Sequence, residues 1–552
     1  MPKIALAQIE ILAGQPALNA EKILSYIERA KNQNAELIIF PAMTISGSLI
    51  GDTLQQESFL RDCKSYEEKI IAESSNITII FGNLEDILVA SNGKLITLEN
   101  SVCKIKLSGQ NYRVACNLNE NFTSAQIDFR VNISSKPFRI GAEKIRNEKF
   151  SAKAKEFNCP IIYVNSTGIQ NRGKVIYTYE GNSTVYNATG EIVHGLEPYE
   201  ENLSIIELEE IYNMPALELS DYEEVEEIYG ALSYGVEKFL QQININKVVI
   251  GISGGIDSAV AAALYTQVLG AENIYLVNMP SKFNSSTTKN LSEQLAQNLG
   301  CNYAVVPIQE SVDFTVNQLN NTAFNRRGKN SSINISDFVK ENIQARDRSG
   351  RILAAVAAAV GGVFTCNANK AETTVGYATL YGDEAGFLCA LADLWKFQVY
   401  ELANYLNEVI YDGEVIPQGI IDIVPSAELS SAQNVDEGKG DPLKYLYHDY
   451  LFRAFIEDLK TPEDILRWYL DGKLERNIGC KHDLVNRYFP TKKDFVADLE
   501  RWWKLFTGMA VAKRIQSPPI IAVSRRAYGE YKESQNSPYF TQEYLSMRDE
   551  NF

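Results

Sequence analysis

Val248-Val249-Ile250-Gly251-Ile252 runs directly into Ser253-Gly254-Gly255-Ile256-Asp257-Ser258, and a helix reads from 257 to 269. A short apolar run, a small-residue turn and a helix in register are the parts of a βα unit in a parallel sheet. The glycines let backbone approach a phosphate, the helix N-terminus supplies free N–H groups, and Ser253 and Ser258 add donors. Asp257 sets a carboxylate beside those phosphates, which suits a bridging Mg²⁺. A Gly-Gly turn alone is common in such sheets; strand, loop order and helix together single this one out. It is not a Walker A loop, because no Gly-Lys-Ser/Thr follows.

The pattern continues around it. Strands are expected at 247–252, 273–279, 303–307 and 362–366, and helices at 257–269, 286–299, 342–360 and 394–407. Strands joined by helices predict a doubly wound parallel sheet with ligands beyond its carboxyl edge. After Asp441 the chain becomes aromatic and helical. The first half also alternates, with strands at 3–8, 36–40 and 77–81, a helix at 17–32 and a helix end at 69–75, and further pieces at 127–133, 143–157, 160–165 and 182–187. An acidic stretch from 207 to 227 reads as a connector, with a domain boundary near 215–222. The expected domains are 1–212 and 222–552, which 552 residues accommodate readily.

Composition narrows the function. A net charge of −17 with no local basic patch argues against a nucleic-acid partner. The longest nearly apolar run, 352–364, is too short for a bilayer, and no secretory signal is expected at the start. Eight cysteines without a CxxC pair indicate neither a zinc site nor a disulfide framework, and His194, His448 and His482 are far apart. A soluble cytoplasmic protein is expected.

The Ser253–Ser258 loop resembles the pyrophosphate loop of the ATP pyrophosphatases. Five further stretches, in order and spacing, resemble the NAD synthetases among them: Met279-Pro280-Ser281, Glu341-Asn342-Ile343-Gln344-Ala345-Arg346, Asn369-Lys370-Ala371-Glu372 with Gly376–Asp383, Asp393–Tyr400, and Pro425-Ser426-Ala427-Glu428-Leu429. The resemblance implies a ligase that uses ATP and Mg²⁺ to convert the deamido-NAD carboxylate into an acyl-adenylate, which ammonia then opens. Carried over residue by residue, it places ATP at Gly251, Ile252, Ser253, Gly254, Gly255, Ile256, Asp257, Ser258, Asn367, Lys396 and Ser426. Mg²⁺ falls to Asp257 and Glu372, with Lys396 as the catalytic cation. Deamido-NAD falls to Asn342, Arg346, Glu372, Tyr377 and Lys513. The family's Thr-Gly-Asn-Lys-Ser-Glu is Asn367-Ala368-Asn369-Lys370-Ala371-Glu372 here, and Phe387 stands where short, ammonia-using members carry an acid. A homo-oligomer, dimeric or a larger symmetric assembly, is implied as well.

Residues 1–212 resemble the nitrilase-type glutamine amidase of the long, two-domain branch, on Ala5-Leu6-Ala7-Gln8, Ile38-Ile39-Phe40-Pro41, Val131–Phe138 and Tyr163-Val164-Asn165. The resemblance implies an α-β-β-α sandwich. That family uses a Cys nucleophile, a Glu base and a Lys. Here Ala42 follows Phe40-Pro41 where the Glu belongs. Cys116 sits in Ala115-Cys116-Asn117-Leu118 without the acids of Cys-Glu-Asp, and neither Lys104 nor Lys106 has a convincing context. The expected chemistry is therefore synthesis from free ammonia over a degenerate amidase. Alternatives are glutamine use through Cys116 and a relocated base, or a non-catalytic regulatory subunit. A tRNA-modifying pyrophosphatase is disfavoured by the charge.

Overall fold

The computed structural model describes residues 1–116, 127–217, 223–430, 433–528 and 537–552. They divide into two compact units, Met1–Lys238 and Phe239–Phe552. Part of the boundary read from the sequence, 218–222, lies outside the described residues.

The first unit begins β1 (Lys3–Gln8), α1 (Pro16–Asn32), β2 (Leu37–Ile39), α2 (Glu57–Ala72), β3 (Thr78–Gly82), β4 (Ile87–Ser91), β5 (Lys94–Leu95), β6 (Val102–Leu107) and β7 (Gln110–Ala115). It continues β8 (Phe129–Ile133), α3 (Ala142–Phe157), β9 (Ile161–Val164), β10 (Thr167–Arg172), β11 (Val175–Glu180), β12 (Thr184–Tyr186), β13 (Ile192–Gly195) and β14 (Asn202–Glu207). Two six-stranded sheets form, in the orders β14-β1-β2-β3-β4-β5 and β13-β12-β9-β8-β7-β6. Alternate residues of β1 serve two cores. Ile4 and Leu6 meet Ile105, Val114, Phe129 and Ile162 between the sheets. Ala5 and Ala7 meet Ile23 and Ile27 of α1 on the outer side. Phe150 and Ala154 of α3 cover Ile161, Tyr163 and Tyr186 of the other sheet. The result is an α-β-β-α sandwich.

One buried acid makes this unit sensitive to pH. Glu180, at the end of β11, lies 3.6 Å from the Arg146 guanidinium. Burial pushes it up to about 7; Arg146 offsets this only in part, and Glu143 and Glu227 add like charge. The folded state therefore keeps a proton that the unfolded chain releases. The stabilisation is complete below the unfolded value, near 4.5, and is lost as pH rises through about 7. At about 1.4 kcal/mol per pH unit, the loss comes to about 3 kcal/mol. Thermal melts at pH 5 and pH 8 should show a wild-type decline that Glu180→Gln flattens. An unchanged pH slope in the variant would exclude Glu180 as its source.

Helix α4 (Glu224–Gln242) contains the division point. The second unit then follows β15 (Val248–Gly251), α5 (Ile256–Leu269), β16 (Ile274–Asn278), α6 (Ser286–Leu299), β17 (Asn302–Val305), α7 (Gln309–Asn320), β18 (Ala323–Arg326) and β19 (Lys329–Ser332). Next come α8 (Asp337–Arg346), α9 (Ala354–Val360), β20 (Val363–Phe364), α10 (Lys370–Val375), α11 (Lys396–Tyr405), α12 (Gln418–Asp422) and α13 (Tyr445–Ile456), ahead of further helices. The sheet is wholly parallel, in the order β17-β16-β15-β20. Strand order reverses between β15 and β20, so the loops leaving these two strands open a crevice at the carboxyl edge.

The helix expected over 342–360 is corrected by the structure. Ser336 caps an earlier start, accepting from Val339 N–H, and a seven-residue π segment, Asp347–Leu353, separates α8 from α9. That wider turn brings Ser349 Oγ to the carbonyl of Gly382 at 2.7 Å. No helix among the described residues is long and apolar enough to cross a membrane.

Candidate functional site

Gly254 fixes the shape of the loop after β15. Its φ is +85°, and a Cβ there would come within 2.3 Å of the Thr288 carbonyl oxygen, so only glycine fits. The serines clasp the turn from within. Gly255 N–H donates to Ser253 Oγ at 3.2 Å, and Ser258 Oγ donates to the Gly255 carbonyl at 3.0 Å. The first turn of α5 therefore presents its free N–H groups at the mouth of a cavity of about 270 Å³.

That cavity gathers the residues expected to hold ATP and metal. The loop from Gly251 to Ser258 lines it together with Asn367, Glu372, Tyr377, Lys396 and Ser426. Asn367, just beyond β20, donates from Nδ2 to the Gly251 carbonyl at 3.3 Å and so ties the two sides of the switch point. Ala368 is not among the residues with positive φ, so the family's glycine is not needed at that position. Ser426 Oγ donates to the Gln433 carbonyl at 2.6 Å and accepts from Glu428 N–H at 3.2 Å.

At the centre is an ammonium between two carboxylates. Lys396 is 3% exposed; its Nζ bonds Asp257 Oδ2 and lies 3.7 Å from Glu372 Oε1. Asn369 Nδ2 holds the other Asp257 oxygen at 3.0 Å, and Tyr445 donates its hydroxyl to Glu372 Oε1 at 3.2 Å. Burial alone would lower Lys396, but Asp257 and Glu372 more than offset it and hold the ammonium charged. Glu372 is pushed up, first by burial and then by the Asp257 charge. Asp441 is raised by burial too, and burial pushes Asp449 up to about 7. Lys396 is thus the cation that Asp257 and Glu372 share, and Lys289 and Arg348 line the same cavity. Among the described residues no group of three or more His, Cys, Asp or Glu could hold a metal alone. Two carboxylates completed by phosphate oxygens are a donor set that suits Mg²⁺.

Three other expected residues lie elsewhere. Asn342, Arg346 and Lys513 do not line the cavity. They grip the loop after α10. Thr379 Oγ1 donates to Asn342 Oδ1 at 2.8 Å, Arg346 Nε to the Leu380 carbonyl at 3.0 Å, and Lys513 Nζ to the carbonyls of Gly376 and Ala378. Tyr377, on the same loop, faces the cavity and donates its hydroxyl to Asp441 Oδ1 at 3.2 Å. Sequence reasoning gave no site role to Arg348, Asp441, Tyr445 or Asp449. Arg348, in the π segment, donates from Nε to the Met279 carbonyl at 3.1 Å. For Tyr445 and Asp449 the signal was their i, i+4 spacing on a helix that read only as an aromatic tail.

In the first unit Ala42 and Cys116 line one cavity of about 680 Å³. Ala42 packs on the apolar core between the sheets. Cys116 is 1% exposed, and its thiol is pushed up by a hydrogen bond with Cys103 and by burial. The Asn117-Leu118 context lies outside the described residues. Lys104 and Lys106 occupy the exposed face of β6. Among the described residues, the carboxylates on this cavity's lining are Glu85 and Asp86, both exposed.

Residues 228–481 match the family model described as NAD synthase. The chain is 26% identical to the glutamine-dependent NAD(+) synthetase of Thermotoga maritima, over 85% of this chain and 91% of that one. It is 28% identical to the protein of the same name from Synechocystis, over 95% and 97%. Its fold matches that of a glutamine-dependent NAD(+) synthetase from Cytophaga hutchinsonii, with a TM-score of 0.76 at 16% identity, covering 100% of this chain and 99% of that one. It also matches an Acinetobacter baumannii synthetase solved with ADP, with a TM-score of 0.65 at 24% identity, covering 97% and 99%.

Proposed function

The chain belongs to the two-domain NAD synthetases, which are C–N ligases, and on that premise we propose that it amidates deamido-NAD with ATP, taking free ammonia as nitrogen donor. The observation that carries the synthetase reading is Lys396 seated between Asp257 and Glu372 at the mouth of the glycine loop.

In this proposal the substrate carboxylate attacks the α-phosphate of ATP, forming an acyl-adenylate and releasing pyrophosphate. Ammonia then attacks the acyl carbon, loses a proton to solvent, and displaces AMP. The loop N–H groups with Ser253 and Ser258 bind the leaving pyrophosphate, and Lys396 offsets the charge that develops on it. Asp257 and Glu372 would hold Mg²⁺, which supplies Lewis-acid neutralisation of the phosphates when bound. Asn367 and Ser426 complete the ATP contacts, while Asn342, Arg346, Tyr377 and Lys513 position deamido-NAD. The proposal includes a homo-oligomer, dimeric or larger, and a cytoplasmic location.

The nitrogen source separates this reading from its rival. Ala42 has no proton to take or give, and Cys116 is a buried thiol beside Cys103. The names of the relatives favour glutamine instead. Assaying NAD from deamido-NAD and ATP, with ammonium and with glutamine in parallel, decides between them. Synthesis with ammonium alone supports the proposal; equal synthesis with glutamine supports the rival.

A further inference from the structure

We infer that Asp449 is a positioning residue for Lys396, acting through the backbone at the start of α11; the inference rests on the role proposed above for Lys396. Helix α11 begins at Lys396, and the residue before it is Trp395. An N-cap normally offers a side-chain oxygen to the first free N–H groups, and an indole has none. The Trp395 Nε1–H instead donates away from the helix, to Glu457 Oε1 at 3.0 Å. The missing acceptor arrives from α13. Asp449 Oδ2 accepts from Phe397 N–H at 3.0 Å, and the Lys396 backbone beside it also favours the carboxylate.

Asp449 is wholly buried, and its Oδ1 has no hydrogen-bond partner among the described residues. A buried, half-satisfied carboxyl is costly in itself. One turn earlier on α13, Tyr445 supplies the second anchor. Its hydroxyl bonds Glu372, and its ring lies 4.9 Å from Lys396 Nζ. The i, i+4 pair Tyr445 and Asp449 therefore fixes the ammonium from both ends: Asp449 sets where the main chain starts, and Tyr445 supports the charged tip. Burial disfavours charge on Asp449, so the useful property is the acceptor oxygen.

The test compares Asp449→Ala, which removes the acceptor, with Asp449→Asn, which keeps one, beside Lys396→Met. Steady-state kinetics with ammonium are run well below each variant's own melting temperature. For Ala we expect kcat to fall about 10- to 100-fold, the scale of a misplaced catalytic group, with KM for ATP changed less than about threefold. Asn should lie within about threefold of wild type. A purely structural cap would lower the melting temperature of the Ala variant and leave its kcat intact, which overturns the inference. Failure of Asn to rescue would overturn it too. If Lys396→Met retains wild-type turnover, the assignment of Lys396 falls instead, and the two failures are distinguishable.

Discussion

Asp257→Asn and Glu372→Gln are each expected to lower NAD formation at saturating Mg²⁺ and ammonium by roughly 10²-fold or more, the usual cost of removing one preorganised electrostatic group. Each substitution takes away one of the two carboxylates that meet at Lys396. On the proposed assignment Mg²⁺ would then keep a single protein ligand, and the ammonium would pair with the carboxylate that remains. The fold should survive, because Glu372 ionises in this buried pocket at a cost and its like-charged neighbour Asp257 adds to that cost. Melting temperatures should therefore stay within a few degrees of wild type or rise. Turnover near the wild-type rate in either variant would remove the metal assignment.

The second large effect concerns nitrogen. Glutamine should support no synthesis above background, and Cys116→Ala should leave the ammonium reaction unchanged. General acid–base help is worth about 10²–10⁴-fold, and a thiol that cannot be deprotonated loses its nucleophile as well. Cys116 is held neutral by Cys103 and by burial, and Ala42 supplies no base. Ala42→Glu alone should not rescue glutamine use, since the thiol stays neutral and Lys104 and Lys106 remain on the outer face of β6. Release of glutamate at the rate of NAD formation, abolished by Cys116→Ala, would overturn this reading.

What the sequence disclosed depended on how local the cause was. The β15 loop, α5 and the parallel strands follow from neighbouring residues, and the structure places them within a residue or two of expectation. The antiparallel strands β4 to β7 carried no comparable signal. In β6 the inward Cys103, Ile105 and Leu107 alternate with two lysines, a pattern that acquires meaning only once β7 is paired to it. Hairpin β18–β19 is exposed throughout, so no apolar period marks it. The start of α8 was missed because Ser336, rather than the apolar residues, sets it. Cys116 could be judged a poor nucleophile from its neighbours in sequence, but its partner Cys103 lies on the adjacent strand. Asp449 shows the limit most clearly, since its task is defined by the backbone of residues 52 and 53 positions away.

The grip of Asn342, Arg346 and Lys513 on the loop from Gly376 to Leu380 has a thermodynamic consequence. One side of that loop carries Tyr377 into the nucleotide cavity, and the other is fastened by groups proposed to touch deamido-NAD. On the proposed assignment the two substrates then share that loop as a partition. A ligand that draws Lys513 off the carbonyls of Gly376 and Ala378 would release two acceptors and shift Tyr377 within the cavity that the nucleotide loop also lines, and so would change how the other substrate binds. Linkage makes the influence mutual: whatever factor one substrate imposes on the other's dissociation constant must be returned in equal measure.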